Sequence, residues 1–216
     1  MSTAQISVTN SKAGKFVMRW QFCMIALILM SVCCLRALAQ EGHLHSMTSQ
    51  HHELTPDQQS KQGALLKKVR EVTARFKDVK VAEAEGYALT FGCVSGSDQG
   101  AMGLHYINFD LVKGGVVDAT HPQAIIYEPT PNGGAELTGA DYLVLADTWN
   151  KSHSSPPELM GQLFHLFDSP NRFGLPAFYT LHVWAWKDNP NGAFVNWHPN
   201  VSCESFVPSN LPGELQ

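Results

Sequence analysis

The chain has 216 residues, a formal charge of −4 and 16% charged side chains. That length is enough for one domain with a sizeable core, and too little for several. The acidic balance excludes a phosphate-tracking basic surface, so nucleic acid is not an expected partner.

Residues 1–39 read as a secretory leader. Lys12, Lys15 and Arg19 form a positive head, "FCMIALILMSVCCL" an apolar middle, and Ala37 and Ala39 small positions before a cut. The apolar run is about 14 residues, short of the roughly 20 that span a bilayer, so no stable membrane span is expected after leader removal. Val32 before Cys33 argues against a lipoprotein. Maturation at Gln40 leaves 177 residues with 11 basic against 19 acidic side chains, a net −8. The expected localisation is secreted or periplasmic. Cys23, Cys33 and Cys34 leave with the leader, and Cys93 and Cys203 remain as a pair in an oxidising compartment. A disulfide between them is expected to stabilise the fold by roughly 4–5 kcal/mol of chain entropy. A thiolate metal pair or a free nucleophile is the competing reading.

Residues 40–54 are a flexible lead-in with His43, His45, His51 and His52. It is either a solvated arm or a loose metal binder. Residues 55–216 are expected to form a single α+β domain. Thr55 can cap a helix, Pro56 fits its first position, and Gln58 completes a capping box. Leu65, Val69, Val72 and Phe76 then recur on one face as far as about Lys77. Asp78 and Gly86 bracket a second, short helix.

Beyond Gly86 the pattern turns to strands: "MGLHYINFD" (102–110), "QAIIYEP" (123–129), "GADYLVLADTW" (139–149) and the aromatic run from Phe178. "PTPNGG" joins the middle two as a hairpin. Residues 154–176 read as a long Pro/Gly-punctuated loop with one helical turn, of the kind that serves as a lid. Helices followed by strands predict an α+β fold with a largely antiparallel, strongly curved or barrel-like sheet.

Two histidines stand on these strands. His105 shares a face with Ile107 and Phe109, and His182 shares one with Phe178, Thr180, Trp184 and Trp186. A buried imidazole must satisfy both ring nitrogens, a constraint rarely met twice without use. With a carboxylate from Glu128 or Asp141, both near strand ends, they make the ligand set of an open zinc, iron or copper site. Each could instead be a core histidine bonded to a backbone carbonyl. Tyr106, Asn108, Trp184 and Trp186 are the candidate walls of a ligand pocket. His121, His153, His165 and His198 fall in or beside loops and read as surface. No nucleophile elbow, phosphate-binding loop, dinucleotide fingerprint or haem-attachment motif occurs. Ser95 with His105 is an alternative nucleophile pair.

"GCVSGSDQGAMGLHYIN", "AIIYEP", "LMGQLF" and "LHVWAWKDNPNGAFVNWHPNVSC", with "ARFKDVKVAEAEGY" before them, resemble an uncharacterised family of exported bacterial proteins. The resemblance runs from about Ala74 to Cys203. It implies a shared domain and a matching cysteine pair, and supplies no activity. The expected function is binding of a metal ion or small ligand in a His-centred aromatic pocket. The alternatives are a metal-dependent hydrolytic or oxidative enzyme on the same site, and an envelope interaction protein without one.

Overall fold

A computed structural model describes residues 54–208. The predicted leader and nearly all of the His-rich lead-in lie outside the described residues. Helix α1 (Pro56–Thr73) starts as its sequence dictates: the Thr55 hydroxyl accepts from Gln58 N, and the Gln58 side chain accepts from Thr55 N. Leu65 and Val69 are fully buried on its inner stripe. The chain tightens into a 3₁₀ turn over Ala74–Lys77, which still buries Phe76. Asp78 caps α2 (Val79–Ala84), and Gly86 leaves it at φ 89°.

Six strands then form one antiparallel sheet: β1 (Ala88–Ser95), β2 (Ala101–Ile107), β3 (Ala124–Pro129), β4 (Ala135–Leu145), β7 (His165–Phe167) and β8 (Phe178–Val183), in the order β1-β2-β3-β4-β8-β7. The sheet curls into a half-barrel, in agreement with the predicted α+β fold and its strongly curved antiparallel sheet. Its two faces follow the period of two along each strand. Tyr142, Val144, Leu181 and Val183 pack against Leu65 and Val69 of α1. Tyr106, Ile125 and Tyr127 pack with Phe76 and Ala82. The concave face holds Ile107, Ala124, Ile126, Leu143, Phe178 and Trp184.

Several predicted boundaries move, among them the start of the strand through Asp141, from Gly139 to Ala135. The strand through His105 ends at Ile107, because the Asn108 side chain accepts from Asp110 N and Leu111 N and caps α3 (Phe109–Gly114). Phe109 therefore leaves the face it was expected to share with His105. The strand through Asp141 ends at Leu145, and residues 146–149 belong to α4 (Ala146–Asn150). The long loop contains no helical turn. It folds a small hairpin, β5 (Glu158–Leu159) with β6 (Gln162–Leu163), and then supplies β7 as an edge of the main sheet. The aromatic strand stops at Val183, where Ala185 N donates to Val183 O.

Cys93 and Cys203 form a disulfide with Cα atoms 5.8 Å apart, tying β1 to the C-terminal segment. Among the described residues no helix is long and apolar enough to cross a membrane.

Candidate metal centre

His105 stands on β2, Asp141 on β4 and His182 on β8. Asp141 pairs directly with His182 in the antiparallel ladder, and His105 lies opposite Ile126 on β3. Three strand spacings separate β2 from β8, which in a flat sheet is about 14 Å. The curl closes that gap. The Nε2 atoms of His105 and His182 lie 3.2 Å apart, with the rings edge to face. His182 Nδ1 lies 3.6 Å from Asp141 Oδ1. The three residues are 3–5% exposed and form a group of ligand atoms that can hold a metal ion.

The backbone orients this group. His105 Nδ1 lies 3.1 Å from Gly103 O. A carbonyl only accepts, so this nitrogen carries the proton and Nε2 presents a lone pair to the site. Gly103 sits at φ 89°, and a Cβ there would meet Tyr127 O at 2.4 Å. Thr180 Oγ1 donates to Asp141 Oδ1 at 2.5 Å. His182 Nδ1 has no hydrogen-bond partner although it is buried.

Burial sets the protonation of all three. It pulls His105 down to about 4, helped by the neighbouring His182, and pulls His182 down to about 3. It pushes Asp141 up to about 6, against the pull of His105 and the Thr180 bond. Both imidazoles are therefore neutral at pH 7, the state that binds metal.

Beside the group lies a cavity of about 20 Å³, room for a water-sized occupant. Ile107, Leu143 and Phe178 wall it from the sheet, Phe91 and Met102 from the β1 side, and Phe167, Phe173 and Leu175 from the long loop. Thr180, His105, Asp141 and His182 are its polar lining.

The other sequence-derived candidates are elsewhere. Glu128 is not brought to the group: its carboxylate pairs with Lys187 and accepts from Ser202 N. It follows Tyr127 after a register shift in the β3–β4 ladder, at the end of the strand remote from Asp141. Tyr106 faces the helices and packs edge-on against Tyr127, since its parity is opposite to that of His105. Asn108 is a helix cap. Trp184 remains beside His182, ring centres 6.0 Å apart, with its Nε1 donating to Val195 O. Trp186 turns to the helix side and donates to Thr73 Oγ1, because the strand ends before it and parity no longer applies.

His198, read from sequence as surface, is fully buried and stands edge-on to Trp184 at 4.8 Å. Its loop is drawn in by backbone bonds in both directions with Ala101. His165, His121 and His153 are exposed. The sequence places Phe178 and Ile107 on the faces of His182 and His105 without marking them as pocket walls, and Leu143, which shares parity with Asp141, was findable on the same basis. Phe91, Phe167 and Phe173 carry no such local signal.

Fold and site together define an α+β half-barrel with a buried His/Asp/His group on its concave face. Searches of family models, curated proteins and solved structures find no match to this chain.

Proposed function

We propose that this is an exported metal-binding protein. It holds one divalent transition metal ion (zinc, iron or copper) between His105 Nε2, His182 Nε2 and the Asp141 carboxylate. The observation that carries the reading is the 3.2 Å approach of two Nε2 atoms. Two nitrogens bound at roughly 2.1 Å to one ion, about 100° apart, stand about 3.2 Å from each other.

Proton placement supports it. Gly103 O fixes the proton of His105 on Nδ1. If His182 carries its proton on Nε2, its Nδ1 is a bare lone pair facing a carboxylate oxygen. If it carries the proton on Nδ1, two Nε2 lone pairs face each other. A cation between the Nε2 atoms removes both conflicts. With Nε2 taken by the cation, His182 carries its proton on Nδ1, so no bare lone pair faces Asp141 Oδ1, 3.6 Å away. The ion would supply Lewis acidity in a site with little room beside it. An extracytoplasmic location, secreted or periplasmic, fits the disulfide.

The test is metal analysis of the protein purified without a His-tag. About one equivalent of ion is expected in the wild type and none in His182→Ala. A wild type that takes up no zinc, iron or copper after incubation with each would refute the reading.

A further inference from the structure

The cavity beside the His/Asp/His group is too small for an ester, a sugar or a peptide. Its volume is about 20 Å³. Apart from the polar residues of the site, its walls are phenylalanine, leucine, isoleucine and methionine, and no lysine or arginine lines it. An anion drawn to the ion, whose charge Asp141 cuts to about +1, would still lose its hydration along walls with no cationic side chain to replace it. A small uncharged molecule meets no such cost.

The wall toward solvent is also unusual. Phe91 sits at φ 67° on a bulge of β1, where the ladder to β2 skips between Thr90 and Cys93. That conformation is uncommon for a residue with a bulky side chain and is sustained only by its surroundings. Phe91 is 37% exposed, yet it lines the cavity and its ring lies 5.2 Å from that of Phe173 on the long loop. Phe173 in turn packs on Phe167 and Phe178. A partly exposed ring on a strained bulge, closing against a ring from a loop, is placed as a door.

We infer that the chamber is the binding site for a diatomic-sized, uncharged ligand of the metal ion, such as dioxygen, and that the Phe91–Phe173 pair is its entrance. This rests on the metal reading above and selects within it: a binding or oxidative role fits the chamber, and hydrolysis of a bulky substrate does not. No reaction of the ligand is assigned.

Nitric oxide is the probe. The protein is loaded anaerobically with ferrous iron, its iron content is measured, and nitric oxide is added. A high-spin ferrous nitrosyl signal in the EPR spectrum is expected at one per bound iron, and azide is expected to leave the iron spectrum unchanged. Phe91→Gly, which suits the backbone at φ 67°, should speed nitrosyl formation about tenfold, equivalent to about 1.4 kcal/mol off the entry barrier, at unchanged final amplitude. Phe173→Ala should do the same if Phe91→Gly does not fold. Protein that takes up no iron overturns this inference, and it overturns the metal reading as well only where zinc and copper are also refused. Protein that holds iron but forms no nitrosyl, or binds azide as readily, overturns this inference alone. Unchanged rates in both variants overturn the door.

Discussion

Asp141→Asn separates a site from a core most sharply, because the two accounts predict opposite signs. The carboxyl is buried with its pKa pushed up from 3.8 to about 6 by desolvation. An acid whose folded pKa is raised stabilises the fold only while protonated. That contribution is complete below about pH 4 and is lost as pH rises through about 6. At pH 7 the metal-free chain therefore carries a burial cost of about 3 kcal/mol for holding the carboxylate. Asparagine has the same shape, keeps an oxygen for the Thr180 hydroxyl, and carries no charge. After subtracting the cost of burying an amide, metal-free Asp141→Asn should be more stable than metal-free wild type by about 1–3 kcal/mol at pH 7. The gain should vanish near pH 4, while the two histidines, present in both chains, largely cancel in the difference. Urea unfolding of chelator-treated protein at both pH values measures this, and each kcal/mol appears as about 2–4 °C in Tm. Metal analysis of the same samples should show weakened binding in the variant. A variant less stable than wild type at pH 7, with its metal content intact, would refute the reasoning: Asp141 would then be a structural hydrogen-bond acceptor and no ligand.

Replacing both Cys93 and Cys203 by Ala removes a cross-link spanning 110 residues; the loss should be about 4–5 kcal/mol in denaturant unfolding, and a change below about 1 kcal/mol would contradict it. Gly103→Ala puts a Cβ 2.4 Å from Tyr127 O at φ 89°; it should cost more than about 2 kcal/mol and also lower metal content, since the carbonyl holding His105 Nδ1 must move. A variant of wild-type stability and full metal content would count against that geometry.

The helices were legible because their signals are local. A capping box, a Pro at the first position and a stripe at i, i+4 and i+7 lie within one segment and do not depend on distant contacts. The pair His105 and His182 was legible for a related reason: each is a ring with two polar atoms among large apolar neighbours on a strand. The fate of Glu128 was not. At the strand end it had the same standing as Asp141, and the choice between them depends on register and on the partner Lys187, which lies 59 positions away. Parity served well within β8 and failed at Trp186, because it holds only while the backbone stays extended. Asn108 was misplaced because a cap and a strand terminus look alike until the following residues are seen to turn. His198 was read as surface because nothing in "NWHPN" signals that Ala101 pairs with it.

What the sequence did not yield directly is the convergence itself, and two short patterns accompany it, Gly103-Leu104-His105 and Gly139-Ala140-Asp141. In each, a glycine precedes the functional residue by two. A Cβ at Gly139 would meet Val183 O at 2.3 Å, just as one at Gly103 would meet Tyr127 O at 2.4 Å. At both positions the backbone of the adjacent strand takes up the space a side chain would need. Glycine inside a strand weakens it and is usually retained where a bend or a close backbone approach requires it. The curl of the sheet brings a ring on β2 to a ring on β8, across two intervening strands. A flat sheet with the same His, Asp and His at the same parity would hold three isolated polar groups, each costly to bury. The curl concentrates them at one point beside an apolar chamber, where a single cation can satisfy all three.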